Sequence, residues 1–213
     1  MEEDMSKLKL MAAMMLGFGL SACGSVDTAT RNAPLEAPVL RAAPISLDVQ
    51  QIRVTVPKSL KVSEANSYYP MGDIVWREDA PGDRHAQVKT IMEEALATGV
   101  AGLQPGTIPV ALDVEVTRFH ALSEKARYTV GGMHTIHFAM TLRNPVTGEA
   151  YGAPKPVTVS FKAFGGSAAV AAEQRGITQK VRISERLASV IQTELGMPVR
   201  TDADQVAALS VTE

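Results

Sequence analysis

Residues 109–121 read Pro-Val-Ala-Leu-Asp-Val-Glu-Val-Thr-Arg-Phe-His-Ala and contain the strongest strand signal in the chain. Val110, Leu112, Val114 and Val116 share one face, and Asp113, Glu115 and Thr117 share the other. This alternation is typical of a strand with one buried face and one solvated face. Phe119 falls out of phase with this alternation, so we expect a bulge or the strand end before it. The stretch therefore predicts a sheet that is covered on one side only.

Other segments of the chain repeat this pattern or show a helical one. Strands are predicted over 52–56, 134–142 and 157–161, and residues 73–77 could form a short extended piece. A first amphipathic helix begins after the N-cap Asp83 and closes at Gly99, and a second spans Thr178 to Leu195. The order β-α-β-β-β-α predicts an α+β two-layer sandwich, a mostly antiparallel sheet with two helices packed on one face.

The N-terminal segment resembles a secretory signal. Lys7 and Lys9 precede an uncharged run of 11 residues, Leu10 to Leu20. A membrane-spanning helix needs about 20 apolar residues, so this run has the length of a signal-peptide core instead. Three acidic residues, Glu2 to Asp4, disturb the expected positive start, and translation from Met5 would remove them.

The run ends in Leu20-Ser-Ala-Cys23, which resembles the lipobox of bacterial lipoproteins. The resemblance implies cleavage between Ala22 and Cys23 and acylation of the Cys23 thiol, which would anchor the chain in a membrane. The alternative is an ordinary signal peptide with a chance cysteine, but Cys23 is the only cysteine in the chain. Residue 24 is Gly and not Asp, which by the same resemblance indicates the outer membrane, facing the periplasm.

These signals divide the chain into four parts. Residues 1–22 are a predicted lipoprotein signal peptide, and residues 23–47, with three prolines, are a predicted tether. Residues 48–196 are predicted to form a single α+β domain, and residues 197–213 a C-terminal tail. At about 3 Å per residue the tether could reach up to roughly 70 Å.

Composition and motifs argue against several classes of function. With 21 basic and 23 acidic side chains the net charge is −2, and nucleic-acid binders carry a basic surplus. Phosphate-loop, serine-hydrolase and zinc-protease motifs are missing, so we expect neither an enzyme nor a bound cofactor or metal.

The histidines and carboxylates of the predicted strands are favoured as structural or surface residues. Residues three apart on a strand face opposite sides, so a surface His137 and a half-buried His134 are favoured over a metal site that both histidines share. Asp113 and Glu115 share one strand face, where a solvated surface is favoured over acid–base chemistry.

Three aromatic side chains and one arginine are candidate contact residues. Tyr68, Tyr69 and Trp76 lie in an irregular segment and could anchor a partner or a lipid, or could instead plug the edge of the core. Arg84 at the start of the first helix could meet an anionic group, although a capped helix start is the plainer interpretation.

Several short segments resemble the PqiC-like auxiliary lipoproteins of ABC-type and MCE-type transport. They are Ile52 to Pro57, Val75 to Glu78, Leu112 to Phe119 and Arg186 to Ile191. The resemblance implies an accessory component of an envelope transport or lipid-trafficking complex, with a protein partner. The alternative is a carrier that binds a lipid or small apolar ligand between sheet and helices; an envelope hydrolase is a third, more distant hypothesis.

Overall fold

The computed structural model describes residues 46–196. The strands are β1 (Leu47–Thr55), β2 (Ile74–Val75), β3 (Ile108–His120), β4 (Gly132–Arg143) and β5 (Lys155–Ala163). The helices are α1 (Arg84–Ala101), the one-turn α2 (Glu124–Arg127), α3 (Ser167–Glu173) and α4 (Gln179–Gly196).

The five strands form one open sheet in the order β1-β3-β4-β5. β1 pairs with the first part of β3 in parallel, and β2 pairs in parallel with Phe119 and His120 at its other end. The pairs β3–β4 and β4–β5 are antiparallel. This confirms the predicted α+β class with a mostly antiparallel sheet.

The long helices α1 and α4 pack against each other and against the apolar face of the sheet. The alternating residues of β3 and β4 supply that face, with Leu112, Val116, Ile136 and Phe138 all at most 2% exposed. The pairing register shifts between Val116 and Arg118, which confirms the predicted bulge. Because of this shift Phe119 turns back to the buried side of the sheet.

The first helix is capped as predicted but ends later. Asp83 is its N-cap, and the carboxylate accepts hydrogen bonds from the backbone N–H groups of His85 and Ala86. The prediction that Gly99 closes the helix is wrong, since α1 continues to Ala101. A Cβ on Gly99 would lie 2.2 Å from Ile191 Cγ2, so this glycine lets α1 and α4 approach closely.

The structure adds elements that periodicity did not predict. β1 begins at Leu47, five residues before the predicted strand. The one-turn α2 and the two-turn α3 lie in segments where periodicity predicts neither a helix nor a strand. Within residues 46–196, no helix is both long and apolar enough to span a bilayer.

Candidate functional site

The loop between β1 and β2 is attached to the sheet where β3 ends. Ser123 Oγ donates a hydrogen bond to the Ser67 carbonyl over 2.6 Å, and the Lys125 N–H donates to Asn66 Oδ1 over 2.7 Å. His120 Nε2 lies 3.1 Å from the Pro70 carbonyl oxygen. These bonds join residues 50 or more positions apart, so the loop backbone is held by tertiary contacts.

This attached loop presents large side chains to solvent. Tyr69 is 89% exposed, Met71 88% and Tyr68 43%. The Lys125 ammonium lies 4.6 Å from the centre of the Tyr68 ring, within the range of a cation–π contact. The side chains of Tyr68 and Tyr69 are therefore accessible to a partner or a lipid.

Trp76 and Arg84 lie in the interior, which corrects their prediction as contact residues. Trp76 is fully buried, donates from Nε1 to Asp79 Oδ2 over 2.8 Å, and packs edge-to-face on Phe119. Arg84 is 4% exposed and pairs with Glu64 over 2.7 Å. The Arg84 hydrogen bond is the main cause that lowers the pKa of the Glu64 carboxyl. The polar groups of both side chains are therefore satisfied inside the domain and are not available to a partner.

A buried arginine joins three segments near the same end of β3. Arg127, 8% exposed, pairs with Glu78 over 3.0 Å and also with Glu173 at the end of α3. Glu78 in turn accepts hydrogen bonds from the backbone N–H groups of Gln179 and Lys180. These N–H groups belong to the first turn of α4, whose donors have no partners within the helix. Arg127 was not singled out from the sequence, because no local pattern marks an arginine for burial.

A small cavity of about 10 Å³ lies beside this network. It is lined by Leu122, Arg127, His134, Phe164, Ala169, Glu173, Ile177, Gln179 and Arg182. His134 is 1% exposed, more buried than expected, and neither ring nitrogen has a hydrogen-bond partner within the described residues. Burial lowers the pKa of His134 to about 3, so the ring is neutral near pH 7.

The other titratable candidates lie apart from that cavity. His137 lies on the solvated face of β4, opposite His134, as the alternation predicts. Asp113 lies between two arginines, with 2.6 Å contacts to Arg53 and Arg143. Residues 46–196 hold no group of three side chains that could bind a metal ion.

The larger pockets are open surface grooves. One of about 370 Å³ lies between α1 and α4 and is lined by Glu94, Ala95, Thr98, Lys180, Val181, Ser184 and Glu185. The predicted cleavage and lipidation residues, Ala22 and Cys23, lie outside the described part of the chain, as do the signal peptide and the tail.

A family model described as "Family of unknown function (DUF6778)" matches residues 47–211. The chain belongs to this family. The match begins at the first residue of β1 and continues beyond Gly196, so the DUF6778 unit includes the whole α+β domain. No curated protein matches the chain.

Solved structures show distant likenesses to this DUF6778 chain. A DUF330-family protein from Xanthomonas campestris is 14% identical, with 72% of this chain and 85% of that one covered, at a TM-score of 0.43. A candidate lipoprotein from Caulobacter crescentus is 18% identical, with coverage of 68% and 87% and a TM-score of 0.32. A minor lipoprotein from Acinetobacter baumannii is 11% identical, with coverage of 68% and 91% and a TM-score of 0.30. At TM-scores below 0.5 these likenesses carry no conclusion about function.

Proposed function

We propose that this DUF6778 protein is a lipid-anchored binding module at the periplasmic face of the bacterial outer membrane, an accessory component of an envelope transport or lipid-trafficking complex. The observation that carries the proposal is Cys23, the only cysteine of the chain, which directly follows an 11-residue hydrophobic run and two small residues. Two or more acyl chains on this thiol would hold the domain stably at a membrane.

The filled interior supports a contact module over a ligand carrier. One continuous cluster of side chains occupies the space between the sheet and helices α1 and α4. The cavity at His134 has about 10 Å³, enough for one water molecule and far below the volume of a lipid chain. A carrier would need a cavity of several hundred Å³ in this position.

The contacts of the polar side chains support a function without catalysis. Asp113 is neutralised by Arg53 and Arg143, and Arg127 by Glu78 and Glu173. His134 lies beneath the surface, and the residues that line the cavity beside it include no serine, threonine or cysteine that could act as a nucleophile. A free sheet edge suits contact better, and among the described strands β5 pairs only with β4.

The anchor is tested by metabolic labelling with an alkyne fatty acid and by membrane fractionation of cells. The wild-type protein is expected to carry the label and to sediment with the outer membrane, and Cys23→Ala to lose both. Ser25→Ala, two residues away, is the matched control and should behave like the wild type. A labelled Cys23→Ala protein would refute the anchor.

The partner is tested by photo-crosslinking in cells. A photoreactive amino acid at Thr158 or Ser160, both exposed on β5, should crosslink to one defined envelope protein. The same probe at Ala97, exposed on α1, is the control and should not. A crosslink that persists in the Cys23→Ala protein would show that the contact does not depend on the anchor.

A further inference from the structure

Four exposed hydrophobic side chains lie at the end of the sheet where β3 finishes and β4 begins. Tyr69 and Met71 are 89% and 88% exposed, Val130 is 75% exposed and Met133 is 49% exposed. We refer to these four residues as the distal patch. Soluble surfaces carry single hydrophobic residues routinely, but several at one end of a domain mark a contact site.

A hydrogen bond and strand pairing bring the patch residues to the same end. The carbonyl oxygen of Pro70, between Tyr69 and Met71, is hydrogen-bonded to His120 Nε2, and His120 pairs with Thr135 on β4. Met133 lies two residues before Thr135 and therefore on the same face of the strand. Val130 lies in the short connection that leads into β4.

The patch lies away from the point where the tether joins the domain. Leu47, the first residue of β1, pairs with Ile108 at the start of β3, whereas His120 is its last residue. A strand of 13 residues is about 40 Å long. The predicted tether can reach up to roughly 70 Å, so the distal end can still turn to the bilayer that holds the anchor.

Three basic side chains without acidic partners lie near the patch. Lys162 pairs across the strands with Met133, Arg118 lies two residues before His120, and Lys125 lies over Tyr68. Within residues 46–196 none of these three cations pairs with a carboxylate. Of the local acids, Glu64, Glu124 and Glu173 each pair with an arginine, and the Asp73 carboxylate accepts a hydrogen bond from the backbone N–H of Lys61. The surface therefore combines exposed apolar side chains with a positive rim.

We propose that the distal patch docks onto an anionic lipid surface. Tyrosine and methionine side chains would insert at the headgroup level, and the three cations would meet lipid phosphates. The hydrogen bonds of Ser67, Asn66 and Pro70 already hold the loop in place, so docking costs little ordering entropy. The proposal deepens the proposed function and rests on it only for bringing a membrane within reach.

The test uses the unlipidated mature chain with Cys23→Ser, so that binding does not depend on acyl chains. Sedimentation with vesicles of phosphatidylethanolamine and phosphatidylglycerol should carry the protein down, and vesicles of phosphatidylcholine alone should not. The double variant Tyr69→Ser/Met71→Ser should weaken binding about tenfold, because it removes roughly two apolar side chains that would be half-buried in the bound state. Added salt should weaken it further.

The matched control changes two exposed hydrophobic residues at the other end of the sheet. Val146 and Tyr151, 91% and 55% exposed, lie in the connection between β4 and β5. Val146→Ser/Tyr151→Ser should bind like the parent chain, and circular dichroism should show both double variants folded.

Three results would overturn the proposal. They are no binding to the anionic vesicles, equal loss in both double variants, and equal binding to phosphatidylcholine. Light scattering distinguishes a further case, a dimer that Tyr69→Ser/Met71→Ser dissociates, which would assign the patch to a second copy instead. None of these results depends on whether Cys23 is acylated, which the labelling experiment decides separately.

Discussion

The backbone N–H of Gln179 donates a hydrogen bond of 3.1 Å to the carboxylate of Glu78, 101 residues earlier in the chain. Glu78 thereby caps α4 from outside the helix and compensates the positive end of its dipole. The same carboxylate pairs with the buried Arg127. One side chain thus ties the segment before α1 to both α2 and α4.

Replacing this carboxylate should destabilise the domain. Glu78→Gln removes the charge opposite Arg127 and weakens the cap of α4, and we expect a loss of about 2–4 kcal/mol in the free energy of unfolding. Urea denaturation of the wild type and the variant measures this loss. Glu149→Gln, at an exposed site where the carboxylate makes no hydrogen bond within the described residues, should change stability by less than about 0.5 kcal/mol. Equal effects would refute the capping role.

His134 should make the domain sensitive to acid. Its pKa is about 3 in the folded chain, against an ordinary value of 6.5, because burial disfavours the charged ring. Between these values the unfolded chain takes up a proton that the folded chain does not. The contribution of the neutral His134 ring to the free energy of unfolding is therefore complete above pH 6.5. It falls as the pH drops toward 3, by about 1.4 kcal/mol per pH unit.

The measurement is the urea midpoint at pH 7 and pH 4.5 in wild type and in His134→Leu. The charged groups that line the cavity around the ring are Arg127, Arg182 and Glu173, and they remain in the variant. We expect His134→Leu to show the smaller drop, and His137→Leu, on the opposite face, to keep the wild-type drop. A drop that His134→Leu leaves unchanged would assign the acid sensitivity to other groups.

Gly99→Ala should destabilise the domain although alanine is the better helix former. The new Cβ would lie 2.2 Å from Ile191 Cγ2 and 2.6 Å from the Ala188 carbonyl oxygen. We expect the clash to outweigh the gain of about 1 kcal/mol in helix propensity and to lower the free energy of unfolding by about 1–3 kcal/mol. Gly152→Ala, where nothing lies within 4 Å, is the control in the same thermal melts. A Gly99→Ala chain as stable as the wild type would argue against the close packing of α1 and α4.

Trp76 offers an optical test of its burial. As the only tryptophan it should emit at short wavelength and resist quenching by iodide in the native chain. Trp76→Phe should cost about 2–4 kcal/mol, since it opens space in the core and leaves Asp79 without its indole donor. Tyr69→Phe, at a surface position, should be close to neutral. Red-shifted, easily quenched emission would instead indicate that Trp76 is exposed to solvent.

Prediction from the sequence worked best for strands and helices that bury one face against a continuous hydrophobic core. Hydrophobic and polar residues alternate from Leu112 to Thr117 because one face of β3 packs against α1 and α4. Phe119, which falls out of phase with them, correctly predicted the bulge. It failed for α3, whose buried residues are only the small Ala169 and Ala172, so no hydrophobic stripe marks the helix. It also failed for Gly99, since a glycine that ends a helix and a glycine that admits a neighbouring helix are identical in sequence.

The sequence by itself determined the strand and helix periods, the cap at Asp83 and the position of Cys23 after its hydrophobic run, because each depends on residues close together along the chain. Only the tertiary structure decided that Trp76, Arg84 and His134 are buried while Tyr69 and Met71 remain exposed. It also decided that Glu78 meets Gln179. Burial and such long-range bonds depend on which elements meet in space, and local spacing carries no record of that arrangement.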